Sequence, residues 1–288
     1  MSDLLEQIKK LRELSGAGFL DCKKALSENN NDIEKSIDFL RKKGLIKASK
    51  KSSREANEGA VGIFTDKNKA ILIEINTETD FAAKNSTFLE FFDLIGKFAL
   101  EKYKNNSSED SFKDIVINNK KISDYFTDII AKIGENIVLK KIKFIPDDND
   151  CKIFTYTHNS YKKNIGKICV VLKAKIEKDN NEADQFGKNL CMHIAATNPL
   201  SLDKESLDKK IIEREKNVQL ETIKSSGKPE NIINKILEGK MNKFYSEVIL
   251  LNQFYIMDNE KTIQNVIDNF SNNNKFEIKE YSIFVLGS

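Results

Sequence analysis

Twice in this chain, two strand-like runs joined by a polar turn lead directly into a helix with one apolar face. In the first instance residues 61–65 and 70–76 flank the turn Asp66-Lys67-Asn68-Lys69. The helix that follows carries Phe88, Phe91, Phe92, Ile95, Phe98 and Ala99 on one side. In the second, residues 152–158 and 165–176 flank the polar segment 159–164. Its helix carries Ala183, Phe186, Leu190 and Ile194 before Asn198-Pro199 stops it. A lone hairpin is marginal in water and needs a helix or further strands on its apolar face. The repeated order therefore predicts an α+β fold with a core of two similar subdomains, built on antiparallel sheets and related by internal duplication. A helix over 122–133 ending at Gly134, a strand over 138–145 and the turn-rich 146–150 complete the first unit. A helix over 262–270 and a strand over 276–286 complete the second.

Two segments fall outside this pattern. At the start, Leu4, Ile8 and Leu11 recur at helical spacing, and Ser15-Gly16-Ala17-Gly18 breaks the helix. Residues 21–26 form a second helix, and Asp32 caps a third with the stripe Ile33, Ile37 and Leu40, for which Gly44 is the expected stop. A three-helix module this small has a marginal core and suits docking better than catalysis. The polar run that follows, with Lys50-Lys51-Ser52-Ser53-Arg54, reads as a linker. Residues 204–245 are charged, with sparse apolar positions at Leu207, Ile211, Val218, Ile232, Ile236 and Phe244. Ser226-Gly227-Lys228-Pro229 interrupts them, which predicts an antiparallel helical hairpin. The expected organisation is a helical module over 1–46, a linker over 47–58 and a first core subdomain over 59–146. A second core subdomain spans 147–198 and 246–288, with the hairpin inserted over 199–245.

Charge and composition narrow the function. The 288 residues hold 47 basic and 44 acidic side chains, a net charge of +3, and only four of the basic set are arginine. A phosphate or base reader carries a clearer basic excess, with Arg prominent in it. The four cysteines (Cys22, Cys151, Cys169, Cys191) form no CxxC pair, and His158 and His193 are not spaced to share a metal with them. These features predict a reducing compartment, no disulfide framework, no metal and no cofactor. The first residues lack a signal-peptide layout, and no apolar run approaches a membrane span, so a cytoplasmic location without membrane association is expected. No nucleophile–base pair, phosphate-cradling glycine loop or other catalytic constellation is visible, and no enzyme is expected.

Six short segments resemble, in order, the motifs of the elongation factor Ts family. They are Leu11-Arg12-Glu13-Leu14-Ser15-Gly16-Ala17-Gly18 with Asp21-Cys22-Lys23-Lys24-Ala25-Leu26; the run from Glu74 through Thr79-Asp80-Phe81-Ala82-Ala83-Lys84-Asn85; Lys132-Ile133-Gly134-Glu135-Asn136-Ile137; Met192-His193-Ile194-Ala195-Ala196; Ser226-Gly227-Lys228-Pro229; and Glu238-Gly239-Lys240-Met241. The resemblance implies a guanine nucleotide exchange factor of protein biosynthesis. Its partner would be the GTPase elongation factor Tu in its GDP-bound form, with no direct nucleic-acid contact. It implies that Asp80 and Phe81, with the small Ala82 and Ala83 beside them, dislocate the Mg²⁺ and nucleotide site of Tu. It extends partner contact to Thr79 and His158. In the N-terminal module, which resembles small UBA-like modules, it extends contact to Leu11, Gly16, Gly18, Cys22 and Lys23.

From residue types alone the central stretch reads more simply, with Thr79 or Asp80 capping a helix and Phe81 packing inward. His158 reads equally well as an ordinary strand end, and His193 as a satisfied core residue. Thr77 and Ala82 stand where the family often has Cys and Val. The chain ends at Ser288, where many members continue into a helix that touches Tu, so that contact is expected to be reduced. Homodimerisation through the hairpin stays open. The rival reading is a Lys-rich ribosome- or RNA-associated adaptor, whose affinity would fall steeply with salt.

Overall fold

The computed structural model describes residues 2–15, 17–103, 108–224 and 229–288. Three helices open the chain: α1 (Ser2–Ser15), α2 (Phe19–Glu28) and α3 (Ile33–Lys51). They close on a small core of Ile8, Leu11, Cys22, Ala25 and Leu26, and the buried Ser36 hydroxyl donates to the Ala25 carbonyl at 3.1 Å. Asp32 caps α3 as expected, accepting from the Lys35 N–H at 3.0 Å. The expected stop at Gly44 is wrong, because α3 runs through Gly44 to Lys51 and takes in the start of the segment read as a linker. Tertiary packing overrides the glycine. A Cβ on Gly44 would sit only 3.6 Å from that of Ala131, and Arg41 pairs with Asp124 at 2.7 Å, so the helix continues along a neighbouring one.

The hairpin β1 (Glu58–Asp66) and β2 (Lys69–Thr77) follows, closed by Lys67-Asn68 with Lys67 at φ 51. Next come α4 (Asp80–Lys84), α5 (Ser86–Lys102), α6 (Glu109–Lys113), the short pair β3 (Val116–Ile117) and β4 (Lys120–Lys121), α7 (Ile122–Ile133) and β5 (Ile137–Ile145). Strand β5 joins β2 antiparallel, with a register shift between Glu74 and Ile75. The aromatic stripe of α5 and the apolar face of α7 bury against Ile71, Ile73 and Ile75 of β2. Phe91 and Phe126 meet edge-on at 5.0 Å.

The second half contains β6 (Cys151–His158), β7 (Ile165–Gly166), β8 (Ile168–Ile176), α8 (Asn181–Thr197), α9 (Lys209–Lys224), α10 (Glu230–Val248), β9 (Phe254–Tyr255), β10 (Asp258–Thr262), α11 (Ile263–Ser271) and β11 (Phe276–Val285). The run 165–176, expected as one strand, divides. Its first two residues pair with Gly62 and Val61 of β1, and β8 belongs to a separate sheet. The sheet orders are β5-β2-β1-β7 and β11-β8-β6. In both, the two hairpin strands are neighbours and a strand from beyond the helices lies outside the second of them. The helices α9 and α10 enclose Ile223, Leu237 and Met241. The interruption Ser226-Gly227-Lys228 lies outside the described residues. The chain divides into two compact units. One is Met1–Pro146 with Thr157–Cys169 and Phe284–Ser288, and the other is Asp147–Tyr156 with Val170–Ile283.

A packing detail recurs in both units. On α5, a Cβ at Gly96 would fall 1.9 Å from the ring of Phe64 on β1. On α8, one at Gly187 would fall 2.3 Å from the ring of Phe154 on β6. Each helix lies close enough to its hairpin for a phenylalanine to sit on bare backbone. Gly96→Ala and Gly187→Ala should therefore destabilise the fold by ~1–3 kcal/mol through overpacking, although alanine is the better helix former by ~1 kcal/mol. Urea unfolding followed by circular dichroism checks this, and an unchanged or raised midpoint in either variant would contradict the close approach.

Candidate functional site

The loop from β2 into α4 is tied down residue by residue. The Thr77 hydroxyl donates to the Thr79 carbonyl at 2.7 Å. Glu78 accepts the Asn136 N–H at 2.6 Å and lies 3.4 Å from the Arg54 guanidinium. Those partners, the Asn136 N–H foremost, hold its carboxyl below the usual range. Thr79 is the N-cap of α4, its Oγ1 accepting the Ala82 N–H at 3.2 Å. Its own N–H and hydroxyl donate to the two carboxylate oxygens of Glu135, at 2.9 and 2.7 Å. Ala82 and Ala83 face inward and are buried, Ala83 within the main core of its unit.

Phe81 is left 83% exposed. This separates the two halves of the plainer sequence reading: Thr79 does cap the helix, but Phe81 does not pack inward. Burying such a ring is worth ~1.5–3 kcal/mol, a gain this fold leaves untaken. One residue earlier, Asp80 meets Lys84 at 2.7 Å, one turn along α4. The Lys84 hydrogen bond holds the Asp80 carboxyl below its ordinary range, Lys167 adds to the effect, and Lys84 is raised in return. Asp80 is therefore a carboxylate at neutral pH.

Pairing of β7 with β1 brings a loop distant in sequence to the same unit. Burial raises the Tyr161 hydroxyl in that loop, which also feels the charges of Lys84, Glu58 and Asp80, and among the described residues this buried hydroxyl has no hydrogen-bond partner. His158, at the end of β6, is exposed and belongs to the same compact unit as Asp80 and Phe81, its carbonyl accepting the Lys167 N–H at 3.1 Å.

The N-terminal candidates fare unevenly. Leu11 and Cys22 are 0% exposed, so they form the module's core and present no surface. Their sequence signature reports packing. Lys23 and Gly18 are exposed, but Gly18 has φ −67, a conformation any residue adopts, so no left-handed turn explains it. Gly16 lies outside the described residues. The exposed apolar side chains here are instead Leu4 and Leu5 at the start of α1 with Leu14, Phe19 and Leu20, none of which sequence reading had put forward as a contact. For the last two the signal was an apolar pair, Phe19-Leu20, directly after the break. Arg54, Glu135 and Asn136 were also missed as parts of the loop, since hydrogen bonding across a fold leaves no local pattern. The four cysteines are free and buried, and burial pushes the Cys169 thiol up to about 12. Among the described residues no cluster of His, Cys, Asp and Glu is placed to hold a metal, and no helix is long and apolar enough to cross a membrane.

A family model described as Elongation factor TS matches residues 78–288. The chain belongs to the elongation factor Ts family. Its curated relatives carry that name: elongation factor Ts of Rhizobium meliloti is 41% identical over 260 residues, covering 90% of this chain and 84% of its own. That of Paracoccus denitrificans is 43% identical over 256 residues, with 89% and 84% covered. That of Brucella anthropi is 40% identical over 263 residues, with 91% and 85% covered. Family membership makes the chain a factor of translation elongation. The matched region begins at Glu78, the first residue of the tethered loop after β2.

His193, in a motif that also resembles the elongation factor Ts family, is a structural residue. It is fully buried, accepts the Ile256 N–H at Nδ1 at 3.3 Å and donates from Nε2 to Gln253 Oε1 at 3.0 Å. This is a neutral imidazole, and burial lowers its pKa. In the unfolded chain the ring takes a proton near ~6.5, so its contribution to stability is complete above that pH and is lost as pH falls toward the depressed folded value. Unfolding free energy should decline below pH ~6.5 in the wild type and less in His193→Gln. Identical slopes in the two proteins would exclude His193 as the source.

Proposed function

We propose that this chain binds elongation factor Tu in its GDP-bound form and speeds GDP release, with Phe81 as the wedge. The observation that carries this reading is a fully projected aromatic ring on a loop whose every neighbour is fixed. A large side chain with few rotatable bonds, carried on backbone that is already held in place, forms an anchor without a large ordering cost. Ala82 and Ala83 keep the base of the wedge thin, and the Asp80 carboxylate supplies a charge beside it. Inserted near the nucleotide of Tu, the ring would shift the surroundings of Mg²⁺. That ion demands near-ideal octahedral geometry and tolerates little displacement. His158, Lys23 and the exposed Leu14, Phe19 and Leu20 would extend the contact.

Exchange then follows from linkage. A factor that weakens GDP binding is itself weakened by GDP to the same degree, so the incoming nucleotide expels it. No covalent step on the nucleotide is required, and the chain acts as a binding partner rather than as an enzyme.

Stopped-flow release of a fluorescent GDP analogue from purified Tu tests the reading. The wild-type chain should accelerate release, and Phe81→Ala should lose about 2 kcal/mol of that effect, roughly thirtyfold, while remaining folded. No acceleration by the wild type would remove the function. Full activity in Phe81→Ala would remove the wedge and leave the function.

A further inference from the structure

The segment Gly134-Glu135-Asn136 lies more than fifty residues from the exposed phenylalanine in sequence, yet it makes the bonds that fix the Phe81 loop. We propose that Glu135 is the positioning residue for Phe81: it touches no partner and acts by clamping Thr79. This rests on the exchange reading above.

Glu135 is reached through Gly134, which ends α7 in a left-handed conformation at φ 88 and donates to the Ile130 carbonyl. The Lys51 ammonium donates to the Gly134 carbonyl, which ties this turn to the end of α3. Directly beyond it, both oxygens of Glu135 are engaged by one residue, the N–H and the hydroxyl of Thr79. Both Thr79 groups act as donors here, and an ionised carboxylate is an acceptor only, so charge-assisted bonds form at both ends. The second bond does more than hold. With its proton turned toward Glu135, the Thr79 hydroxyl keeps a lone pair for the Ala82 N–H, and that bond caps α4. The direction in which α4 leaves the sheet therefore depends on a carboxylate in the turn after α7. Asn136 adds a parallel tie, its N–H to Glu78 and its side-chain amide to the Arg54 carbonyl at 2.7 Å. Phe81 itself has no comparable restraint, since its ring is in solvent.

The residue type can be tested directly. Glutamine at 135 can still accept from one Thr79 donor, but its amide NH₂ then faces the other, and the hydroxyl must turn its proton away. Alanine accepts neither. The expected order is wild type, then Glu135→Gln, then Glu135→Ala.

Two measurements on the whole 288-residue chain decide the matter. Hydrogen exchange in the free protein reads the clamp itself: amides of residues 79–83 should exchange about tenfold faster in Glu135→Ala and by an intermediate factor in Glu135→Gln, with β8 and α8 unchanged. Stimulated GDP release from Tu reads its use: the maximal rate should fall about tenfold in Glu135→Ala, and the same substitution in a Phe81→Ala background should cost less than about twofold, because both act through one side chain. A purely structural glutamate would lower activity equally in both backgrounds, and that outcome overturns the proposal. So does wild-type exchange protection of residues 79–83 in both variants. Should Glu135→Ala fail to fold, Glu135→Gln carries both comparisons. Failure of the wild type to stimulate release at all would strike the exchange reading, and the hydrogen-exchange arm would still decide whether Glu135 holds the loop.

Discussion

A phenylalanine ring in water is under constant pressure to fold back onto the nearest apolar surface, so a protein that displays one must hold the backbone beneath it. Here that hold is the junction of Thr79 with Glu135, 56 residues apart in the chain, reinforced by burial of Ala82 and Ala83 immediately after the ring. The carboxylate fixes the threonine, the threonine caps α4, and the two alanines press α4 against the sheet. The rest of the first unit can be seen as the frame that brings these pieces together: β2 delivers Thr77, α7 delivers Glu135 through Gly134, and α5 covers the sheet from which the loop departs.

The frame is economical because it is used twice. Each unit sets a helix against a hairpin so closely that a phenylalanine rests on a glycine, and each adds a later strand beyond the second hairpin strand. The first use carries the tethered loop. In the second, the segment after β6 breaks the pattern, sending Ile165-Gly166 to pair with β1. That departure is what places His158, Tyr161 and Lys167 in the same unit as Asp80. The local electrostatics follow. Asp80 is paired with Lys84 and stays ionised.

Much of this was legible in the residues, and the parts that were not share a cause. Local periodicity revealed the hairpins, the stripe of α5, the cap at Asp32 and the helix ending at Gly134, because those patterns lie within a few residues of one another. It misplaced the end of α3, where contact with α7 carries the helix through Gly44, and it merged β7 with β8, where long-range pairing divides them. At the site, resemblance singled out Asp80 and Phe81, and the structure shows the ring exposed. Residue type alone had favoured an inward Phe81. Leu11 and Cys22, which resemblance also singled out, are buried in the core of the N-terminal module. Glu135 sat inside a recognised motif without a role, because its partner lies across the fold.

On the proposed mechanism, Phe81 is exposed in the free chain and becomes buried in a nucleotide-bound GTPase. Replacing Phe81 with a benzophenone-bearing phenylalanine analogue and irradiating the chain with Tu·GDP measures that most directly. A light-dependent adduct on the nucleotide-binding domain of Tu is expected, and excess free GDP should suppress it, since factor and nucleotide oppose one another. Absence of any adduct from position 81 while the two proteins co-elute as a complex, or an adduct indifferent to GDP, would contradict it.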